Sequence, residues 1–183
     1  MEVEVYFGNE LARLYEIGYI TTDLYQLAAL SDLIESDRGE KIDQFFGPKP
    51  APINRFSNLT NKERTRSEII HVREGSVELV VAVAGVTAAV LMPLVSIEVN
   101  RRLRRQGINV EFEISPSDQN LKRILAAYED RVFGGGNDGL ELLFAILRER
   151  GYNVTIAGPN QYRIQHAVNR YANRIVKTIK KNM

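Results

Sequence analysis

The feature that most constrains the fold is a run of 19 residues, 79–97, that contains no charged side chain. Glu78 and Glu98 flank the run, and four arginines follow it within residues 101–105. At about 1.5 Å per residue, a helix of this length spans roughly 28 Å. The hydrocarbon core of a bilayer is about 30 Å thick. We therefore predict a transmembrane helix over residues 79–97.

The charges on either side of the run predict its orientation. Cytoplasmic flanks of membrane helices carry an excess of Lys and Arg, so the C-terminal side should face the cytoplasm. Pro93 fits this prediction, because membrane helices tolerate proline better than most other helices do. The predicted membrane-interface residues are Arg101, Arg102, Arg104 and Arg105.

Small residues would lie along one side of such a helix. Small side chains let helix backbones approach closely in lipid, whereas polar groups in lipid need partners or a water-filled path. One helix cannot conduct ions, so a pore would need a homo-oligomer, for example a tetramer. A simple membrane anchor is the alternative. The predicted pore-lining or helix-packing residues are Glu78, Ala82, Gly85, Thr87, Ala89, Ser96 and Glu98.

Two other structures fit the same run. It can be the wholly buried central helix of a soluble domain, because a helix that is apolar on all sides is buried in protein or in lipid. It can also form two buried strands, 77–84 and 87–95, that turn at Gly85, because valine is frequent in both halves. Both alternatives stay open.

The rest of the chain is predicted to form three further regions. Residues 1–44 should hold the strand Glu2–Phe7, which alternates in polarity, and two helices separated at Gly18. Residues 45–66 are rich in Pro, Asn, Lys and Arg, which predicts a linker. Residues 67–106 hold a short strand, Glu68–Arg73, and the predicted membrane helix. A C-terminal α/β domain is predicted over 107–183, with strands at 108–114 and 152–157 and helices ending near 132 and spanning 140–150 and 161–181.

Positive charge is concentrated at the C-terminal end, where residues 152–183 carry six basic and no acidic residues. Most of these bases share one face of the last predicted helix. Such a face neutralises phosphates, and tyrosines beside it stack on bases. A solvated face and attraction to anionic lipid of a bilayer are the alternatives. The predicted binding residues for single-stranded DNA or another anionic nucleotide ligand are Arg163, Arg170, Arg174, Lys177, Lys181, Tyr162 and His166.

The composition argues against several kinds of active site. The chain has no cysteine, so it cannot form a disulfide, a thiolate metal site or a cysteine nucleophile. With two histidines, an all-protein zinc site is not expected. The sequence GGGNDG at 134–139 lacks the Lys-Ser/Thr of a phosphate-binding loop and predicts a flexible connector. We predict no catalytic residue, no metal site and no cofactor, and therefore no enzyme.

The stretch HVREGSVELVVAVAGVTAAVLMPLVSIEV, residues 71–99, and the basic portion after it resemble small membrane effectors of bacterial anti-phage defence. Among these effectors, the chain is similar to the Hailong type. The resemblance implies a homo-oligomeric channel that is gated by DNA, located in the bacterial inner membrane, and it implies no individual site residue.

The expected fold is a mixed α/β soluble domain with a single long apolar, transmembrane helix. The expected function is a channel subunit gated by a nucleic-acid or nucleotide ligand. The alternative is a soluble oligomeric scaffold or nucleic-acid-binding module with a buried central apolar helix.

Overall fold

The computed structural model describes residues 1–8, 14–46, 68–73, 77–83, 85–110, 112–133, 139–154 and 158–182. Within these ranges the chain forms four strands and six helices. The strands are β1 (Glu2–Phe7), β2 (Glu68–Arg73), β3 (Val77–Ala82) and β4 (Phe112–Pro116). The helices are α1 (Leu14–Glu35), α2 (Gly39–Phe46), α3 (Val86–Arg104), α4 (Gln119–Phe133), α5 (Leu140–Glu149) and α6 (Gly158–Asn182).

The four strands form one antiparallel sheet in the order β2-β3-β1-β4. The polar–apolar alternation of β1 buries Val3, Val5 and Phe7 on one face of this sheet. Val5 lies opposite Leu79 of β3 and Ile114 of β4, so the same face continues into both neighbours. The strand predicted at Glu2–Phe7, with its apolar face, is confirmed.

The uncharged run does not form one helix. It begins in β3, which is an extended strand paired with β1 and β2. It then passes Gly85, whose extended backbone (φ −145, ψ 173) forms the N-cap of α3. The transmembrane helix predicted over residues 79–97 is therefore wrong. Each alternative describes one half of the run, because the first half is a strand and the second half is a buried helix.

Helix α3 is the centre of the fold. Every residue from Thr87 to Val99 is buried, as is Leu103. The helix contacts α1, α4, α6 and β4, so protein covers the faces that lipid would cover in a membrane. On one side, Asn100 donates from Nδ2 to the Phe112 carbonyl oxygen at 2.9 Å, which occupies a backbone acceptor of the edge strand β4.

These contacts overturn the predicted fold class. The described part of the chain is mostly helical with one small antiparallel sheet, not a mixed α/β domain with a membrane helix. Four of the 19 residues of α3 are charged. No helix among the described residues has both the length and the apolar character that crossing a bilayer requires. The predictions of a transmembrane protein and of an inner-membrane location, which depended on that helix, are wrong for the same reason.

Several boundaries also differ from the predicted ones. Helix α1 continues through Gly18, where the sequence predicted a break, because one glycine weakens a helix without ending it. Strand β4 starts four residues later than predicted, at Phe112. Residues 152–154 are not a strand, and 155–157 lie outside the described residues, as does the GGGNDG segment except for Gly139. The strand Glu68–Arg73 and the helices α4, α5 and α6 are confirmed.

The sheet joins strands from three of the predicted regions, because β1 pairs with both β3 and β4. The predicted linker, 45–66, lies mostly outside the described residues. Its first two residues, Phe45 and Phe46, are the buried end of α2.

Candidate nucleic-acid interface

Helix α6 carries the predicted ligand-binding residues on the outside of the molecule. Ile164, Tyr171, Ile175 and Ile179 are fully buried and dock the helix on the core. On the opposite face, Lys177 and Lys181 are exposed, and the three predicted arginines are half-buried. The 3.6-residue period therefore separates an apolar side from a basic side. The structure brings the predicted basic residues onto one face, but it does not leave all of them free.

Arg163 is held by the chain itself. Its Nε donates to Asp43 Oδ1 at 2.8 Å and its Nη2 to Asp43 Oδ2 at 2.5 Å, a bidentate pair that links α6 to α2. Its Nη1 also donates to Asn160 Oδ1 at 2.9 Å. These hydrogen bonds hold the pKa of the Asp43 carboxyl below its usual range. Arg163 is consequently already neutralised in the folded chain.

Arg174 is paired with an acid of α1. Its Nη2 lies 3.0 Å from Oδ1 of Asp23, whose side chain is fully buried. The Arg174 guanidinium also lies over the ring of Tyr19, 5.0 Å from the ring centroid. Further along, Tyr171 donates from its hydroxyl to Gln26 Oε1 at 2.8 Å. Residues nearer the C-terminus of α1 thus contact residues nearer the N-terminus of α6. The two helices therefore run antiparallel.

Asp23, Arg170 and Arg174, with Tyr19 and Tyr171, form what we call the α1–α6 cluster. Burial raises the pKa of Asp23 to about 7, against the opposing effect of the two arginines. Neither carboxylate oxygen of Asp23 accepts a hydrogen bond from any described residue. Arg170 Nη1 and Arg174 Nε are also buried without an acceptor among the described residues. The cluster is therefore charged but incompletely hydrogen-bonded.

Exposed tyrosines border the basic face. Tyr162 is 69% exposed and stacks beside His166, with ring centroids 6.4 Å apart. On α1, Tyr15 is 72% exposed and stacks on Tyr19 at 6.3 Å. The contact between Tyr19 and Arg174 places the Tyr15–Tyr19 stack beside the C-terminal half of α6. Sequence reasoning missed Tyr15 and Tyr19, because the break predicted at Gly18 separated two residues that are four apart on one helix.

A second polar cluster links α3 to α6. Glu98 is buried and accepts hydrogen bonds on Oε1 from Arg101 Nη2 at 2.8 Å and Arg102 Nε at 2.6 Å. Arg102 continues to α6, where its Nη2 donates to Asn169 Oδ1 at 2.7 Å and its Nη1 to Asn173 Oδ1. We call these residues the α3–α6 cluster. Two of the arginines predicted at a membrane interface are thus internal partners, whereas Arg104 and Arg105 are exposed.

The predicted pore-lining residues do not share one helix. Glu78 and Ala82 belong to β3, and Thr87, Ala89 and Ser96 are buried in α3. Ser96 donates from Oγ to the Pro93 carbonyl oxygen at 2.9 Å, an acceptor within its own helix. These positions therefore serve the sheet and the core.

Gly85 makes a close approach that sequence reasoning did not foresee. A Cβ atom at this position would collide with the Glu35 carboxylate, which lies at the N-terminus of α3. Glu35 Oε1 accepts a hydrogen bond from the Thr87 N–H at 3.3 Å. A carboxylate at this end of a helix satisfies a free N–H and interacts favourably with the helix dipole. Gly85 thus leaves room for a cap that comes from the end of α1.

Two open clefts lie away from this interface. A cleft of about 840 Å³ lies between α3, β4 and α4, and includes Ser96, Asn100 and Lys122. A groove of about 730 Å³ between α4 and α5 has Arg123, Arg131 and Arg150 among its lining residues. Within the described ranges, no group of three or more acidic or histidine side chains is placed to hold a metal ion.

No protein-family model, curated protein or solved structure matches the chain. We therefore infer the function from the geometry of the chain's own residues. The resemblance to defence effectors stays a prediction, and the membrane helix that it implied is not found among the described residues.

Proposed function

We propose that the protein binds single-stranded nucleic acid through the outer face of α6 and the adjoining tyrosines of α1. We call this surface the α6 face. One observation carries the proposal: the exposed Lys177 and Lys181 share a helix that has no acidic residue with the exposed ring of Tyr162, and the exposed Tyr15 of α1 stacks on Tyr19, which contacts Arg174 of that helix. The residues of the α6 face are Tyr15, Tyr19, Tyr162, His166, Arg170, Arg174, Lys177 and Lys181.

This combination matches the chemistry of a single strand. Lysine and arginine attract the phosphates along the backbone, and binding releases the cations condensed on the strand. Exposed rings offer stacking surfaces to bases, which contribute about 1–3 kcal/mol per base and tolerate different sequences. Tyr162 and Tyr15 are the most exposed of these rings. Tyr162 lies near the N-terminus of α6 and the Tyr15–Tyr19 stack lies beside its C-terminal half, so a strand that follows the helix can meet both.

The internal ion pairs reduce the number of cations available to a ligand. Arg163 is neutralised by Asp43 and Arg174 by Asp23. Arg170, Lys177 and Lys181 then remain for phosphate contacts. At about 0.7 counterions released per contact, three contacts predict a slope of about −2 for the logarithm of the binding constant against the logarithm of salt concentration.

The proposal is tested with purified protein and a labelled oligothymidine strand. Lys177→Glu combined with Lys181→Glu should weaken binding at least tenfold, because it reverses two of the three available charges. The matched control is Arg123→Glu combined with Arg150→Glu, which changes the net charge equally at the α4–α5 groove. The control should keep nearly wild-type affinity. Equal loss in both variants, or loss in the control alone, would overturn the assignment of the α6 face.

A second arm distinguishes nucleic acid from lipid. The same variants are mixed with vesicles that contain anionic lipid, because anionic headgroups also attract a basic helix. Tyr15→Ala should weaken oligothymidine binding by about 1 kcal/mol or more through lost stacking. Loss of vesicle binding without loss of oligothymidine binding in the α6 variant would contradict the proposal.

A further inference from the structure

We propose that Asp23 competes with the ligand for Arg174, so that protonation of Asp23 strengthens nucleic-acid binding. This inference rests on the proposed function, because it concerns regulation of the same α6 face. The observation behind it is the position of Asp23, a fully buried carboxylate directly beneath a cation of the binding surface.

The surroundings of Asp23 are defined on both helices. From α6, Arg174 lies 3.0 Å away, Arg170 also favours the ionised carboxylate, and the carboxylate in turn contributes to the raised pKa of the Tyr171 phenol. From α1, the buried Glu16 lies two turns earlier on the same face. Arg174 connects the buried carboxylate to the protein surface, because the side chain of Arg174 is 26% exposed whereas that of Asp23 is 0% exposed.

Arg174 cannot neutralise the Asp23 carboxylate and a ligand phosphate at the same time. When Asp23 is ionised, it neutralises the guanidinium, and a phosphate brought near it would also be repelled by the buried carboxylate. When Asp23 is protonated, Arg174 keeps its full charge and can donate to a phosphate. A phosphate can reach the part of the Arg174 side chain that is exposed, which is 26% of its surface.

The proton leaves Asp23 in an accessible pH range. Burial raises the pKa of this carboxyl to about 7. Ligand affinity should therefore rise as the pH falls from 8 to 6. By reciprocity, a bound strand should raise the pKa of Asp23 further, so that binding takes up protons near neutral pH.

Asp43 provides a matched control within the same surface. It also pairs with an arginine of α6, Arg163, but it is largely exposed and its pKa is lowered. Asp43 is consequently ionised throughout the range from pH 6 to 8. Removing its charge can change affinity, but it cannot remove a pH dependence in this range.

The experiment measures the affinity of oligothymidine without a terminal phosphate, using a label that does not titrate between pH 6 and 8. All proteins carry His166→Gln, because histidine side chains titrate in the same range. The otherwise unchanged protein should bind about fivefold more tightly at pH 6 than at pH 8 in 0.1 M salt, the effect of one added phosphate contact. Its salt slope should steepen by about 0.7.

Asp23→Asn should bind tightly at both pH values, with the steeper salt slope at both. Asp43→Asn should keep the pH dependence. If Asp23→Asn retains the full pH dependence, or binds as weakly at pH 6 as the parent does at pH 8, the inference is wrong. That failure differs from failure of the proposed function, which is shown by unchanged binding in the Lys177→Glu, Lys181→Glu variant.

Discussion

Two buried carboxylates take part in the contacts of α6 with its neighbouring helices. Within the described residues, the protein supplies hydrogen bonds to one of them and not to the other. Glu98, in the α3–α6 cluster, accepts hydrogen bonds from two arginines, one of which continues to Asn169. Asp23, in the α1–α6 cluster, lies 3.0 Å from one arginine and accepts no hydrogen bond from a described residue. The carboxylate of Glu98 is thus hydrogen-bonded by the protein, whereas the carboxylate of Asp23 has no such bond from the part of the chain that the structure describes.

The two carboxylates differ in how far protein groups replace the water that each loses on burial. A buried charge is costly unless ion pairs and hydrogen bonds replace its hydration. At Glu98 the replacement is nearly complete, so the charge is part of the structure. At Asp23 the replacement is incomplete, and the raised pKa follows from the burial. Groups whose pKa is perturbed by burial and a specific partner are candidates for function.

The largest expected effect is the loss of the Glu98 carboxylate. Glu98→Ala removes the carboxylate that neutralises Arg101 and Arg102, and it should lower the free energy of unfolding by about 3 kcal/mol. The measurement is urea denaturation at pH 7. Glu113→Ala, at a side chain that is 61% exposed, is the control and should cost less than about 0.5 kcal/mol. Equal small effects would show that Glu98 is not a structural ion pair.

The pH dependence of stability tests the effect of burial on Asp23. The folded pKa of Asp23, about 7, exceeds its unfolded value of 3.8, so the folded state binds more protons between these values. The free energy of unfolding should therefore fall as the pH rises, by about 2 kcal/mol between pH 5 and 7. Asp23→Asn should remove this fall, so that the variant is more stable than the unchanged protein at pH 8. If the free energy of unfolding still falls with rising pH in Asp23→Asn, other titratable groups cause the fall.

Glu35 provides the smallest effect and a test of the N-cap at Gly85. Gly85→Ala should force the Glu35 carboxylate away from the N-terminus of α3 and cost about 1 kcal/mol. In a Glu35→Ala background, the same substitution should cost much less, since the cap is already lost. A double-mutant cycle by urea denaturation measures this coupling. If the two substitutions have additive effects, the cost of Gly85→Ala does not arise from displacing Glu35.

Local patterns predicted local structure well in this chain. The alternation in Glu2–Phe7 predicted a strand, and the basic and apolar stripes of α6 predicted its two faces. At the start of α4, Asp118 accepts a hydrogen bond from the Leu121 N–H at 2.8 Å, which is also a local interaction. Each of these features depends on residues within a few positions of one another.

Long-range contacts explain what the sequence could not predict. The membrane interpretation failed because an uncharged run looks the same whether lipid or protein covers it, and pairing with β1 made its first half a strand. The basic face lost two free cations to acids that lie far away in sequence, Asp43 and Asp23. Such partners are 120 and about 150 residues from their arginines.

The most direct test is carbon NMR of the side-chain carboxyl groups, followed from pH 5 to 9 with and without saturating oligothymidine. We expect Asp23 to titrate with a midpoint near 7, as its burial implies, and we expect the bound strand to move this midpoint upward. The Glu98 signal should not respond to the strand, because the α3–α6 cluster lies within the fold. A midpoint for Asp23 that stays unchanged when the strand binds would contradict the account.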